Sequence, residues 1–309
     1  MKRDFLSIID IDKDELESII ADAKHLKRLK RSGTAHEYLK GKSLAMIFEK
    51  ASTRTRVSFE VGMTDLGGHA LFLNPQDMQL GRGEELRDTA RVLARYVDAV
   101  MIRAYSHATI EEFARYSTVP VINGLSDRLH PCQVLADIMT LSERFRDLHD
   151  LKLAWIGDGN NVCNSWILSS SLTGMEIVVA SPKGYQPKDA IIEQARARGS
   201  RVSVVTDPAD AVRDADILYT DIWVSMGDEQ ERAERLRALK NYTIDSRLLE
   251  LASPDALVMH CLPAHRGEEI SDEVMEGPQS IVWDQAENRL HAQKALLVRL
   301  IAGEMPKTD

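Results

Sequence analysis

The chain contains little cysteine, which bears first on the compartment in which it works. Cys132, Cys163 and Cys261 are its three cysteines among 309 residues. An odd and low number of thiols argues against a disulfide framework and fits a reducing cytosol. We therefore expect a cytoplasmic protein.

Long apolar runs and an excess of positive charge are also missing. The apolar stretch 5–9 is ended by Asp10, Asp12 and Asp14, so it does not predict an export signal. No uninterrupted apolar run approaches the roughly 20 residues of a membrane span. The net charge is −9, whereas nucleic-acid binding relies on a basic face. We expect neither a membrane nor a nucleic acid as partner.

Strand-like and helical patterns alternate along the whole chain. A first helix follows Asp12 and continues up to Gly33. The predicted strands are 43–48, 69–73, 98–103, 119–122, 152–156, 176–180, 202–205, 216–220, 256–260 and 280–283. The predicted helices between and after them are 54–66, 84–97, 107–117, 131–147, 161–173, 187–198, 229–240, 245–251 and 286–303. This alternation predicts parallel sheets with helices on their faces.

The length and a charged segment at 144–150 predict two domains. The fold class is α/β, with two doubly wound parallel-sheet domains in tandem and an active-site cleft between them. We place the first domain at 1–147 and the second at 148–285. The C-terminal helix, about 286–309, is expected to pack back on the first domain.

The run from Ser52 to Arg56 carries three hydroxyls and two guanidiniums between a predicted strand and a predicted helix. Backbone N–H groups at a helix N-terminus attract anions, and Arg offers a planar fork that matches phosphate or carboxylate. The run therefore predicts an anion site. An ordinary capped helix with Ser52 as the cap and two solvated arginines remains an equal alternative for the run alone.

Two further motifs follow predicted strands of the first series. Arg103 ends the strand 98–103, where it could reach the same anion, although a surface ion pair explains it as well. His130 precedes Pro131, a residue suited to the first position of a helix. An imidazole there can donate to a carbonyl or phosphate oxygen, and Gln133 adds an amide. A capping His with a structural Gln is the alternative.

Glycines mark two further loops. Gly81 and Gly83 surround Arg82 in a loop that could approach a ligand closely or merely connect two elements. The segment 157–162 resembles a dinucleotide fingerprint, but Val162 stands where the third glycine or alanine belongs, and Ser181 replaces the acidic residue expected after the next strand. A nicotinamide cofactor is therefore disfavoured.

The second series ends two of its strands with polar groups. Asp221 and Ser225 suit recognition of an ammonium group, with a capped turn as the alternative. His260 and Cys261 could suggest zinc, but the spacings match no common structural zinc pattern. We prefer a thiol and backbone carbonyls that line an amine site, so no metal and no cofactor is expected.

Together and in this order, the motifs resemble those of the aspartate/ornithine carbamoyltransferase family over nearly the whole chain. The Ser-Thr-Arg-Thr run at 52–55, Arg103 and the His-Pro-Cys-Gln run at 130–133 are similar to the carbamoyl-phosphate motifs. The Ser-Met-Gly run at 225–227 and the His-Cys-Leu-Pro run at 260–263 resemble motifs for ornithine. The resemblance implies formation of L-citrulline and phosphate from carbamoyl phosphate and L-ornithine.

The resemblance also implies which residues act. It places carbamoyl phosphate at Ser52, Thr53, Arg54, Thr55, Gln79, Arg103, His130, Pro131, Cys132, Gln133 and Arg289. It places ornithine at Asn161, Asp221, Ser225, Met226, Cys261 and Leu262. Arg103, His130, Asp221 and Cys261 are the implied catalytic residues. A homo-oligomer, a trimer or a multiple of trimers, is implied as well, with the loop around Gln79 completing a neighbour's site.

Other functions stay open from the sequence alone. A carbamoyltransferase for putrescine or an N-acylated ornithine would keep the anion motifs and change the amine site. A nicotinamide-dependent dehydrogenase and a non-catalytic binding protein with this fold are the remaining alternatives. Within the favoured activity we expect arginine biosynthesis, with arginine degradation as the alternative.

Overall fold

The computed structural model describes residues 2–224, 229–303 and 305. It divides into two compact units. Unit 1 comprises residues 1–139 and 287–309, and unit 2 comprises residues 140–286. Among the described residues, no helix is both long enough and apolar enough to cross a membrane.

Unit 1 is built on a parallel sheet of four strands in the order β2-β1-β3-β4. The strands are β1 (Ser43–Phe48), β2 (His69–Leu73), β3 (Ala99–Arg103) and β4 (Val121–Leu125). The helices up to this point in the chain are α1 (Lys13–Arg31), α2 (Thr53–Asp65), α3 (Leu86–Leu93), α4 (His107–Tyr116) and α5 (Pro131–Ser142). The central strands β1 and β3 are almost wholly buried, as expected of parallel strands covered on both faces.

Local sequence sets where the first helices start. The Asp12 carboxylate accepts the N–H of Glu15 and caps α1, while the Ser52 hydroxyl accepts the N–H of Thr55 and caps α2. Pro131 is the first residue of α5, a position where its missing N–H costs nothing. These starts lie within a residue of the predicted ones.

Unit 2 contains a parallel sheet of five strands in the order β7-β6-β5-β8-β9. The strands are β5 (Lys152–Ile156), β6 (Glu176–Ala180), β7 (Arg201–Val205), β8 (Ile217–Thr220) and β9 (Leu257–His260). The helices are α6 (Asn161–Thr173), α7 (Asp189–Arg196), α8 (Pro208–Val212), α9 (Arg232–Leu239), α10 (Ser246–Leu249) and α11 (Asp272–Met275). Trp155 and Tyr219 stack in the core with ring centroids 5.0 Å apart.

The predicted fold class of two parallel-sheet α/β domains is confirmed. The predicted strand 280–283 is wrong. Ser280 forms only an isolated bridge with Val258, and helix α12 (Val282–Ile301) begins two residues later. The apolar residues there favoured a strand by composition, but a single bridge leaves the chain free to turn into the helix.

Helix α12 contacts α1 and α2 within unit 1. Lys27 donates to the side-chain oxygen of Asn288 at 2.8 Å, and Arg299 lies 3.2 Å from Asp22. Lys294, which is fully buried, donates to Asp65 at 3.0 Å and to Nε2 of His36. The C-terminal helix is thus fixed to unit 1 by buried and half-buried charged side chains.

We expect the contacts of Lys294 to contribute measurably to the free energy of unfolding. Replacing Lys294 by Met keeps the apolar stem but leaves the buried His36 nitrogen without its donor, while Asp65 loses one ammonium partner and keeps Lys30. The free energy of unfolding should fall by about 2 kcal/mol, the usual cost of unsatisfied buried groups. Denaturant unfolding measures it. Lys40→Met, which breaks the exposed Lys40–Glu37 pair, is the control and should change stability by less than about 0.5 kcal/mol. Equal effects of the two variants would contradict the prediction.

Candidate active site

The anion motifs of unit 1 meet where its sheet changes direction. From β1 the chain first adds β2 on one side and later adds β3 on the other. In open parallel sheets, ligands bind outside the carboxyl ends of the strands at such a switch point. Phe48 at the end of β1 lies level with Arg103 at the end of β3. The fold therefore brings the Ser52 run and Arg103 to one edge.

The Ser52 run forms the first turn of α2. The Ser52 hydroxyl lies 3.2 Å from the N–H of Thr55, and the Ser58 hydroxyl donates to the carbonyl of Arg54 at 2.6 Å. The run thus combines a capped helix start with a guanidinium on the first turn. Helix N-terminal N–H groups carry partial positive charge, which favours an anion there.

His130 is a buried imidazole surrounded by positive charge. It is 5% exposed. Burial, followed by the charges of Arg289, Arg103 and Arg54, holds the pKa of His130 well below its usual range. The imidazole is therefore neutral at physiological pH. A neutral imidazole has one N–H donor and one acceptor nitrogen, so it can polarise a carbonyl without adding charge.

Arg289 joins α12 to this group of residues. Its Nη1 donates to the side-chain oxygen of Gln133 at 2.6 Å, and its Nη2 donates to the hydroxyl of Thr55 at 3.3 Å. The Gln133 amide nitrogen donates to Asp137 at 2.8 Å. These contacts turn the Gln133 oxygen toward Arg289 and make it the acceptor of that side chain.

The remaining residues predicted for carbamoyl phosphate lie in different surroundings. Pro131 is buried at the start of α5. Cys132 is buried as well, its thiol donates to the carbonyl of Asn123 at 3.4 Å, and burial raises its pKa to about 12. Its side chain therefore faces the core as a neutral thiol. Gln79 is exposed and begins the 3₁₀ turn Gln79–Arg82. In the sequence, this turn lies between the first turns of α2 and α5.

A second polar group forms at the switch point of unit 2, between β5 and β8. Asp221 follows β8 and accepts from the amide nitrogen of Asn160, after β5, at 2.7 Å. The thiol of Cys261, after β9, donates to the other oxygen of Asp221 at 2.8 Å. Three neighbouring strands thus deliver a carboxylate, an amide and a thiol to one place. Such a group suits an ammonium or amine ligand.

The His-Cys-Leu-Pro run is held by a buried pair behind it. His260 Nδ1 accepts the N–H of Leu262 at 2.8 Å, so its other nitrogen carries the proton and donates to the carboxylate of Glu269 at 3.1 Å. Leu262 has a φ of +58°, a left-handed conformation that costs free energy for a residue with a side chain. The imidazole contact stabilises this turn beside Cys261.

Packing accounts for Gly159, the second glycine of the segment that resembles a dinucleotide fingerprint. Its N–H donates to the carbonyl of Tyr185 at 2.7 Å. A Cβ atom at position 159 would lie 2.3 Å from the backbone nitrogen of Pro187. Close packing of the 185–187 segment therefore requires this glycine, without any role for a pyrophosphate.

Two predicted ornithine residues, Ser225 and Met226, lie outside the described residues. Asn161 is the first residue of α6, and its carbonyl accepts from Ser165 at 2.9 Å. The cap of that helix is Asn160, whose side-chain oxygen accepts the N–H groups of Val162 and Cys163. Asn160 therefore orders both the helix and Asp221.

One cluster near Asp221 has the composition of a metal site. Ligand-type atoms of Asp221, His260 and Cys261 lie within 4.8 Å of one another. The thiol already donates to Asp221, and both imidazole nitrogens of His260 have partners within the protein. A metal would have to displace these contacts, so the cluster is better explained as a hydrogen-bonded network.

Sequence reasoning missed Asp137 and Glu269. Asp137 lies four residues after Gln133 within an otherwise apolar stretch of α5, a spacing that brings two side chains together on a helix. That polar pair was the available signal. The Glu269 contact joins parts of the chain separated by a loop, and no periodicity in the sequence reports it.

The depressed pKa of His130 predicts a pH-dependent stability. Above about pH 6.5 the imidazole is neutral in both the folded and the unfolded chain. As the pH falls below 6.5, the unfolded imidazole takes up a proton that folded His130 does not bind. The free energy of unfolding should then fall by up to about 1.4 kcal/mol per pH unit. His130→Gln should lose this component. Denaturant unfolding between pH 5 and 8 measures both slopes, and identical slopes would contradict the prediction.

Models of known protein families match most of both units. The family model described as the carbamoyl-P binding domain of aspartate/ornithine carbamoyltransferase matches residues 3–143, and the Asp/Orn binding domain matches residues 149–300. The ornithine carbamoyltransferase of Methanoculleus marisnigri is 84% identical over 309 residues, all of both chains. That of Archaeoglobus fulgidus is 59% identical over 299 residues, 97% of both chains.

The solved structure of the ornithine carbamoyltransferase from Pyrococcus furiosus has a TM-score of 0.93 and 51% sequence identity, over 99% of this chain and 98% of that one. The resemblance predicted from the motifs is thereby confirmed. The chain belongs to the aspartate/ornithine carbamoyltransferase family.

Proposed function

We propose that the chain transfers the carbamoyl group of carbamoyl phosphate to L-ornithine and releases L-citrulline and phosphate. One observation carries the substrate assignment in unit 1. The buried imidazole of His130 is kept neutral by its burial and by the positive charges of Arg289, Arg103 and Arg54. A dianionic phosphate beside a neutral carbonyl matches such a group, because the guanidiniums pair with the phosphate and the imidazole with the carbonyl.

The first turn of α2 supplies the phosphate ligands in this proposal. Ser52, Thr53 and Thr55 donate through backbone N–H groups and hydroxyls, and Arg54 supplies charge. Arg103 and His130 polarise the carbonyl oxygen, on which negative charge develops when the amine attacks. Stabilising that charge by donors already in place is a large source of rate enhancement.

The amide of Gln133 fixes the carbamoyl NH2 group. Its oxygen accepts from Arg289 at 2.6 Å and has a second lone pair for the carbamoyl nitrogen. Asp137 prevents the amide from turning over by holding its nitrogen. The side chain is therefore preset as an acceptor, which is the role that an NH2 ligand requires.

In unit 2, the group after β5, β8 and β9 receives the amino acid. Asp221, with Asn161, Ser225 and Met226, contacts the α-amino and carboxylate groups. Cys261 and Leu262 lie beside the δ-amine. The δ-amine attacks in its neutral form. Near pH 7 most of it is protonated, like a Lys side chain. Attack gives a tetrahedral oxyanion; its collapse breaks the bond between the carbonyl carbon and the phosphate oxygen, and phosphate leaves with the proton that the attacking nitrogen gives up.

We further propose a biosynthetic direction and a trimeric or higher assembly in the cytoplasm. The anabolic ornithine carbamoyltransferase of Campylobacter jejuni, whose solved structure matches this chain with 44% identity and a TM-score of 0.90, supports the biosynthetic direction. Leu71 and Phe72, on the edge strand β2, and Val57 on α2 are exposed, and an apolar sheet edge favours association. Sedimentation equilibrium of the full chain decides the assembly, and a monomer mass would refute it.

The choice of amine tests the function directly. Citrulline formation from carbamoyl phosphate and ornithine should far exceed carbamoylation of putrescine, N-acetylornithine or aspartate under the same conditions. Preference for another amine would refute the role assigned to Asp221 and keep that of the Ser52 run. Ligand binding without turnover of any amine would instead indicate a binding protein.

Arg103 and His130 should each act in the chemical step. Replacing either residue by Ala should lower kcat about a hundredfold, because loss of one oxyanion donor costs about 3 kcal/mol of transition-state stabilisation. Arg56→Ala, which removes an exposed guanidinium paired with Glu60 one turn further along α2, is the control for a lost positive charge and should keep most of kcat. Steady-state kinetics measures kcat of each variant. A normal kcat of Arg103→Ala would refute the catalytic role proposed for Arg103.

A further inference from the structure

Gln293 lies on α12, one helical turn after Arg289, and is fully buried. The four-residue spacing places both side chains on one face of the helix. A buried amide needs partners for its oxygen and its nitrogen within the protein, because an unsatisfied amide is costly. The hydrogen-bond partners of the Gln293 amide therefore indicate its role.

The amide bridges α12 and the first turns of α2. Its oxygen accepts from Nη2 and Nε of Arg289 at 3.0 and 3.1 Å, and its nitrogen donates to the hydroxyl of Ser58. The guanidinium has only donors, so the oxygen end of the amide must face it. Ser58 in turn donates to the carbonyl of Arg54 at 2.6 Å. A continuous chain of hydrogen bonds thus connects Arg289 with the anion run.

Gln293 fixes the direction of the Arg289 fork. Gln133 and Thr55 hold the two terminal nitrogens, while Gln293 holds the edge formed by Nε and Nη2. Contacts on both sides of the planar group prevent it from turning about its stem. Together these contacts engage four of the five N–H donors of a guanidinium.

The neutral amide also preserves the positive charge of Arg289. A carboxylate at position 293 would hold the same edge but would compensate the charge that binds a dianion. Glutamine combines bidentate acceptance with zero charge, and it has an N–H left for Ser58. These properties fit a residue that orients a ligand-binding arginine better than one that merely fills the core.

We propose that Gln293 is a positioning residue of the anion site, acting through Arg289 and Ser58. The proposal rests on the proposed binding of carbamoyl phosphate in unit 1. A purely structural residue would affect the stability of the α12–α2 contact alone. A positioning residue affects the affinity for the anion, and its effect depends on Arg289.

Gln293→Met removes both polar ends at nearly constant length. The KM for carbamoyl phosphate should rise about tenfold, because a misaligned guanidinium loses directional contacts, while the KM for ornithine should stay within about twofold. Leu296→Val, a substitution of a fully buried residue of the same helix, is the control for lost packing and should leave both KM values unchanged.

The double variant Arg289→Met/Gln293→Met separates the two roles. If Gln293 acts through Arg289, the second substitution adds less than about twofold to the KM of Arg289→Met. Multiplicative effects would overturn the proposal, as would a Gln293→Met protein with unchanged KM. Should Gln293→Met fail to fold, Ser58→Ala removes the anchor of the amide nitrogen. That variant should raise the KM for carbamoyl phosphate about threefold, and an unchanged KM would refute the proposal.

Binding of inorganic phosphate keeps this test separate from the proposed function. The phosphate-induced rise in Tm of the full wild-type chain should be reduced in Gln293→Met and retained in Leu296→Val. Wild-type protein that binds phosphate but forms no citrulline would refute the function and leave the positioning role testable. Equal phosphate responses in wild-type protein and Gln293→Met would refute the positioning role.

Discussion

Parallel pairing of β1 with β3 is the constraint on which the anion site of unit 1 depends. The register sets Phe48 beside Arg103, so the chain leaves β1 at the level where that guanidinium ends its strand. The N–H of Glu49 donates to the carbonyl of Arg103 at 2.9 Å and holds the two strand ends together. A shift by one residue would turn Arg103 to the opposite face of the sheet. Helix starts alone could not bring the motifs together.

Helix α12 adds a further positive charge, that of Arg289, to the charge that Arg103 supplies from the sheet. Arg289 lies far along the sequence from Thr55 and Gln133, yet it donates to both. Its placement requires that the C-terminal helix be fixed to unit 1, and Lys294 provides such a contact through Asp65 at the far end of α2. The residues that stabilise this helix and those that meet the ligand in our proposal are therefore parts of the same pairing of helices. Stability and function are linked here through geometry.

The sequence permitted prediction of the elements and of the groups that gather at the ends of strands. Alternation of apolar segments predicted the parallel sheets, and Ser52 and Pro131 marked helix starts, because these signals are local. The segment 280–283 failed because β-branched and aromatic composition does not reveal whether a neighbouring strand is in reach. Gln293 and Asp137 escaped prediction for a different reason. Each is a buried polar residue with a partner four residues away on its own helix. A polar pair at that spacing does not reveal whether it faces the core or the solvent.

His130 shows how one set of charges serves two needs in the proposed reaction. The guanidiniums that would bind a dianionic phosphate also disfavour a proton on the imidazole. A charged His130 would attract the phosphate further but would repel those same arginines within a buried site. The neutral ring keeps an N–H donor without that repulsion, and a donor is what a developing oxyanion requires. Burial disfavours the proton first and the positive cluster adds to it, so the arginines that select the ligand also help to keep the neighbouring imidazole neutral.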